Sequence, residues 1–295
     1  DISLEDIKRF RQLGSPCAGH PEYGHGAGVE TTTGPLGQGI ATAVGMAMAE
    51  RITAARFGND LVNHHTFVIA SDGDLMEGIS HEAISLAGHL KLSKLIVLFD
   101  DNGISIDGPL ALSESGDQLA RFEAAGWSAS RVDGHDPEAI AAAIESAMAS
   151  ERPSLIACRT IIGYGSPKKQ GTSSSHGSPL GTEEAAAAKA ALGWAHGAFE
   201  VPANIRAAWL AAGERCHGEY EAWLKRFVAT EKDAKASFER AMEGAISPSL
   251  WPALTAYRRA LVEKPQTVAS RKASEMVLEV INAHVPEAIG GSADL

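Results

Sequence analysis

Two short apolar runs, each ending in acidic or amide residues, constrain this chain more than any other feature. Thr66-Phe67-Val68-Ile69-Ala70 leads into Ser71-Asp72-Gly73, and Leu95-Ile96-Val97-Leu98-Phe99 leads into Asp100-Asp101-Asn102. Near-continuous apolar runs, rather than alternating ones, belong to strands covered on both faces, as in a parallel sheet between helix layers. Between them Ile79, Ala83, Leu86, Ala87 and Leu90 recur at helical spacing. That makes a strand-helix-strand unit, whose crossover is right-handed. A further unit is predicted downstream: a helix near 118–125, a strand near 128–132, a helix over 137–149 and a strand over 154–160. Upstream, Thr33-Gly34-Pro35 reads as a capped helix start with an apolar face of Ile40, Val44, Met46 and Met48. The small residues Gly37, Gly39, Ala41, Ala43, Gly45, Ala47 and Ala49 imply close packing there. The expected fold is α/β, a doubly wound, mostly parallel sheet flanked by helices.

The 295 residues predict about two domains. By composition the Gly-, Ser- and Lys-rich stretch 163–177 is a flexible loop. From Glu183 to about Arg240 helix formers dominate, with Trp194, Trp209, Trp223 and Phe227 available to pack helices together. The Pro-punctuated stretch 247–265 reads as a linker, and 271–284 as one amphipathic helix opening a second domain.

Charge excludes some functions. Lys and Arg number 26 against 37 Asp and Glu, a net −11, so the bulk surface repels phosphate backbones and anionic lipid, and neither a nucleic-acid nor a membrane partner is expected. Cys17, Cys158 and Cys216 lack metal-ligand spacing and suit a reducing compartment. No apolar run approaches the roughly 20 residues that cross a bilayer, and Asp1-Ile2-Ser3-Leu4 lacks the blocks of a signal peptide. A cytoplasmic location is expected. The missing initiator Met and the stop at Leu295 suggest a piece of a longer protein.

In parallel α/β sheets ligands bind beyond the carboxyl ends of strands, and two such ends here carry Asp72 and Asn102. A hard divalent cation takes a few protein oxygens and completes its shell with phosphate and water, so these two with a nearby carbonyl would serve a metal diphosphate. Gly73 would let the diphosphate approach the backbone at a helix start. Equally, Asp72 could simply cap a helix and Asn102 turn a loop; spacing leaves both open.

The order of longer motifs goes further. Gly19-His20-Pro21-Glu22, the run from Gly28 through Thr33-Gly34-Pro35-Leu36-Gly37-Gln38-Gly39, Asp72-Gly73 through Met76-Glu77-Gly78, and Asp101-Asn102 follow one another. Ile162-Gly163-Tyr164-Gly165-Ser166, His176-Gly177-Ser178-Pro179-Leu180, Arg271-Lys272-Ala273-Ser274-Glu275 and Gly290 to Leu295 come after. In this order the chain resembles the transketolases, thiamine diphosphate enzymes of sugar-phosphate interconversion, over nearly its whole length. The resemblance implies a diphosphate-binding α/β domain over 1–182, a helical extension and linker over 183–265, and the truncated start of a pyrimidine-binding domain over 266–295.

Position by position, the resemblance implies that Asp72, Asn102 and the Ile104 main-chain carbonyl bind Mg²⁺ or Ca²⁺ with the diphosphate of thiamine diphosphate, which Gly73 touches. Leu36, Ile106 and Ile162 would wall the cofactor rings, Gly34 would back the aminopyrimidine, and Asp294 would approach from the second domain. Glu77 matches a carboxylate at the interface of a homodimer that shares its active sites. His20 would sit near the donor's hydroxyls, and His176 near the diphosphate and the reacting oxygens. An ordinary imidazole at such positions can shuttle protons at neutral pH. Arg271 matches an arginine that receives the sugar phosphate, a role suited to its bidentate fork. The implied reaction is ping-pong transfer of a two-carbon ketol unit from a ketose phosphate such as xylulose 5-phosphate to an aldose phosphate, in the pentose phosphate pathway.

Ser71 departs from the pattern where a glycine is usual, as does Asp101 where an asparagine is common in more distant thiamine enzymes. The glutamate that activates the aminopyrimidine and further N-terminal histidines have no counterpart, so the isolated chain is expected to be inactive. Dihydroxyacetone synthase, and a cofactor-binding subunit of a split enzyme, are the alternatives.

Overall fold

The computed structural model describes residues 2–291. A short helix α1 (Leu4–Lys8) precedes the long helix α2 (Gln38–Phe57). Strand β1 (Thr66–Ser71), helices α3 (Asp72–Met76) and α4 (Gly78–His89) and strand β2 (Leu95–Asp101) follow. Next come the small hairpin of β3 (Ile104–Ser105) and β4 (Gly108–Pro109), then α5 (Gln118–Ala124), β5 (Ser128–Asp133), α6 (Pro137–Met148) and β6 (Ser154–Arg159). Helices α7 (Thr182–Ala191), α8 (Ala203–Glu214), α9 (His217–Ala229), α10 (Lys232–Met242), α11 (Leu250–Glu263) and α12 (Ser270–His284) complete the described chain. Two compact units divide between Gly218 and Glu219.

In the first unit β1, β2, β6 and β5 stand side by side in that order, every pair parallel, with helices on both faces. The period-2 alternation of strand side chains sorts the two cores. Leu95, Val97 and Phe99 of β2 and Leu155 and Ala157 of β6 join Ile40, Val44, Leu75, Ile84, Phe122 and Trp127 in one cluster. Ile96, Ile156 and Cys158 point the other way, onto Ile140, Ala143 and Ile144 of α6. Burying such side chains stabilises by roughly 1.5–3 kcal/mol each. The Trp127 indole N–H, fully buried, donates to the Ile84 carbonyl at 2.9 Å, so its one polar atom is satisfied.

Some local expectations shift. Helix α2 begins after Gly37, not at Thr33-Gly34-Pro35: Gly37 takes φ +81°, and a Cβ there would lie 2.7 Å from Ile79 Cγ2. Met46 of the expected apolar face is exposed. On α4 the buried stripe is Ser80, Ala83, Ile84, Ala87 and Gly88, while Ile79 and Leu86 are exposed. Small residues face the core here because α4 lies close against its neighbours. The 163–177 loop is tied down: the Gly171 N–H donates to the Ile162 carbonyl at 2.7 Å, and the Lys169 ammonium to the carbonyls of Pro179 and Leu180.

In the second unit the stretch expected as a linker is helix α11. Pro252 sits in its first turn, where the missing N–H removes no helical hydrogen bond. The expected helix over 271–284 is α12, which packs against α11. Trp223 and Phe227 stack with ring centroids 5.1 Å apart and Phe238 packs on them, while Arg240 pairs with Glu287 at 2.5 Å.

Gly88 offers the sharpest test of the packing: a Cβ there would sit 1.7 Å from the Ala125 carbonyl oxygen. Gly88→Ala is expected to lower unfolding stability by about 3 kcal/mol, read from urea denaturation, because the carbonyl belongs to backbone that must itself move.

Candidate functional site

The carboxyl ends of β1 and β2 lie in register, Ser71 opposite Asp100. Asp72, the next residue, is therefore set against the 100–103 turn. It is only 4% exposed, and among the described residues neither carboxylate oxygen has a donor in full hydrogen-bonding geometry. Burial, reinforced by the like charge of Asp101, pushes its pKa up from 3.8 to about 6; the approaching Gly103 N–H opposes this, Asp100 adds to it and Arg159 opposes it. A buried carboxylate this poorly provided for is costly when ionised, and a bound cation would relieve it as protonation does.

Asn102 is placed by its own turn. Its amide N–H donates to Asp100 Oδ2 at 3.0 Å, and its Oδ1 accepts the Ile104 N–H at 2.9 Å, leaving one lone pair. Gly103 makes the turn possible at φ +70°. Among the described residues no three His, Cys, Asp or Glu side chains cluster as a metal cage. The donor set is one buried carboxylate, one amide oxygen and main-chain carbonyls such as that of Ile104. Such a sparse oxygen set suits Mg²⁺ or Ca²⁺ completed by phosphate and water.

Ser71, the departure noted in the sequence, closes the turn. Its hydroxyl accepts the Asp74 N–H at 3.4 Å and donates to Asp74 Oδ2 at 2.7 Å, while its own N–H donates to that oxygen at 2.8 Å. Asp74 also accepts the Gly37 N–H at 3.1 Å, latching the 34–37 loop to the strand end. Sequence reasoning passed over Asp74, although a capping box three residues apart is a readable signal. Asp101, the second departure, accepts from Arg159 Nη1 at 3.0 Å and faces Arg131 Nε at 3.5 Å.

Glycines let the remaining pieces approach. A Cβ on Gly73 would meet Leu36 Cδ1 at 3.3 Å, and one on Gly34 would meet the His20 ring at 3.2 Å. One on Gly37 would meet Glu77 Cβ at 3.0 Å. His20, Gly34, Leu36, Gly73, Asp72 and Glu77 are thereby brought to one end of the sheet. Leu36 and Ile106 are exposed, and Ile162 is half-buried. His176 is exposed after the short helical turn Ser173–Ser175, and among the described residues its side chain bonds to none of the others. Arg271 is exposed on α12 of the second unit. Asp294 lies outside the described residues.

Residues 1–247 match the family model described as the transketolase thiamine diphosphate binding domain. The chain belongs to the transketolase family. It is 56% identical to a transketolase of Cereibacter sphaeroides over 100% of this chain and 44% of that protein, and 55% identical to one of Sinorhizobium medicae over 100% and 42%. Among solved structures it is similar to the transketolase of Leishmania mexicana (TM-score 0.88, 40% identity, 100% of this chain and 44% of the other). It is also similar to that of Pichia stipitis in complex with sedoheptulose 7-phosphate (TM-score 0.89, 38%, 100% and 44%). The chain thus spans less than half the length of the relatives it matches.

The raised pKa of Asp72 fixes a sign. Between pH 3.8 and about 6 the unfolded chain releases this proton while the folded one retains it, so stability falls as pH rises and the full penalty stands above pH 6. Asp72→Asn, neutral throughout, is expected to be more stable than the wild type at pH 8 without metal, by about 2 kcal/mol, and equal to it near pH 3.5. Paired urea melts at the two pH values check this.

Proposed function

We propose that the protein is a transketolase, moving a two-carbon ketol unit from a ketose phosphate such as xylulose 5-phosphate to an aldose phosphate such as ribose 5-phosphate or erythrose 4-phosphate. The observation that carries this is the buried Asp72 carboxylate at the end of β1, without a donor in full hydrogen-bonding geometry among the described residues, beside Gly73 and facing the Asn102 turn. Family membership and the sugar phosphate in the Pichia stipitis complex support it.

Asp72, Asn102 and the Ile104 carbonyl would hold Mg²⁺ or Ca²⁺, and Gly73 leaves room for the diphosphate. Bound there, thiamine diphosphate would supply the electron sink that the two-carbon transfer needs. Leu36, Ile106 and Ile162 would shield the rings from water, with Gly34 backing the aminopyrimidine and Asp294 completing the wall. His20, held on Gly34, would take and return protons at the donor's hydroxyls, and His176 at the reacting oxygens beside the diphosphate. Arg271 would grip the sugar phosphate by its planar fork. Glu77 would face a second identical subunit, across which the active sites are shared. On this reading 1–182 is the diphosphate-binding domain, 183–265 the extension and linker, and 266–295 the opening of the pyrimidine-binding domain. Three free thiols support a reducing, cytoplasmic compartment and a net charge of −11 the lack of a nucleic-acid or membrane partner, while the proposed reaction itself would belong to pentose phosphate metabolism.

The test is product analysis on the full chain with thiamine diphosphate and Mg²⁺, offering xylulose 5-phosphate with ribose 5-phosphate and, separately, with formaldehyde. Sedoheptulose 7-phosphate is expected as the main product, reduced at least about a hundredfold by Asp72→Ala. Dihydroxyacetone as the main product would overturn the acceptor assignment in favour of a formaldehyde-using relative.

A further inference from the structure

His135 has no part in the proposed mechanism, yet its ring is placed with unusual definition. It lies just past the carboxyl end of β5, where Gly134 is pressed onto the exit of β6: the Gly134 N–H donates to the Arg159 carbonyl at 2.8 Å, and a Cβ there would lie 2.4 Å from Thr160 Cγ2. On either side the backbone is pinned. The His135 N–H donates to Asp133 Oδ1 at 2.9 Å, and Asp136 caps α6 through the N–H groups of Glu138 and Ala139. From this fixed base the His135 ring reaches the segment after β6, where Nε2 accepts the Ile161 N–H at 2.9 Å. The ring also stacks on Tyr164, centroids 4.1 Å apart and planes at 27°.

Those two contacts grip both ends of one turn. The Tyr164 N–H donates to the Ile161 carbonyl at 3.1 Å, and Gly163 at φ +65° completes the reversal. Ile162 stands at its apex, its carbonyl accepting the Gly171 N–H. We propose that His135 is a positioning residue: as the neutral Nδ1–H tautomer it clamps the 161–164 turn and so fixes Ile162 and the loop beyond it. Where Ile162 is taken to meet the cofactor rings, the inference rests on the function proposed above; the clamp itself does not. An N–H at Nε2 would face the Ile161 N–H, so only the ring with a bare Nε2 can make this bond.

Side-chain reach separates the clamp from simple packing. Gln places its amide oxygen about as far from the backbone as Nε2, whereas Asn stops near Nδ1. Lys168 and Lys169 lie in the same loop, with the Lys168 N–H held by Glu184 at 2.7 Å, so tryptic cleavage after them reports opening of the loop without any cofactor. In the full chain freed of cofactor, His135→Asn, which loses both acceptor and stack, is expected to be cleaved there about threefold to tenfold faster than the wild type, and His135→Gln and Tyr164→Leu, which lose the stack alone, distinctly more slowly than His135→Asn. Thiamine diphosphate affinity, read by titration in excess Mg²⁺, should weaken by a similar factor in His135→Asn and recover in His135→Gln. Wild-type cleavage of His135→Asn, or equal damage by Asn and Gln, would overturn the clamp. Faster cleavage with unchanged affinity would uphold the clamp and overturn the placement of Ile162 against the cofactor.

Discussion

The parallel pairing of β1 with β2, Thr66 opposite Leu95 through Ser71 opposite Asp100, sets everything else at the site. It brings two chain segments 29 positions apart to the same height at the carboxyl end of the sheet, so Asp72 and the 100–103 turn meet without either loop having to be long. A slip of one residue would turn Val97 and Phe99 out of their core and move Asp72 off the turn together. Core packing and site geometry are therefore one constraint.

That constraint gathers acidic groups where water is scarce. Asp100 and Asp101 are each provided for: Asp100 accepts from the Thr160 hydroxyl and the Asn102 amide, and Asp101 from Arg159. Among the described residues Asp72 has the approaching Gly103 N–H but no donor in full hydrogen-bonding geometry. A buried group whose ionised form destabilises the fold and would be relieved by a bound cation makes ligand binding and folding stability two readings of one equilibrium. Ser71, in place of a glycine, spends its hydroxyl on the cap of α3 through Asp74 rather than on Asp72.

The sheet was legible because strands buried on both faces leave near-continuous apolar runs, and the strand ends were legible because Asp-Gly and Asp-Asn stop those runs abruptly. Helix α11 was not, since Pro252 reads as a breaker unless its place in the first turn is known. Helical spacing found α4 and part of its stripe: Ala83 and Ala87 are buried as the spacing implied, but Ser80, Ile84 and Gly88 take the places of the exposed Ile79 and Leu86, because small residues face the core where bulk does not fit. The latches were hidden for a different reason. Gly37 to Asp74, Ile161 to His135 and Ser166 to Glu184 join residues 37, 26 and 18 apart, and no local pattern encodes a pairing through space.

Those latches share a form. In each, a polar side chain fixed on a regular element or strand end reaches a backbone N–H in a glycine-rich loop: Asp74 to Gly37, His135 to Ile161, Glu184 to Lys168. The Ser166 hydroxyl and the Lys168 N–H hold the Glu184 carboxyl below the usual range, so that latch strengthens as it ionises and persists at neutral pH. Loops rich in glycine have more conformational freedom to lose on folding, and ordering them takes bonds from outside the loop itself. The segment 173–177 is the stretch between latches, held by its own turn bonds: Ser175 and His176 N–H to the carbonyls of Thr172 and Ser173. On the proposed mechanism His176 is the loop side chain that works at the reacting oxygens, and the backbone bonds that hold it come from its own turn rather than from the sheet.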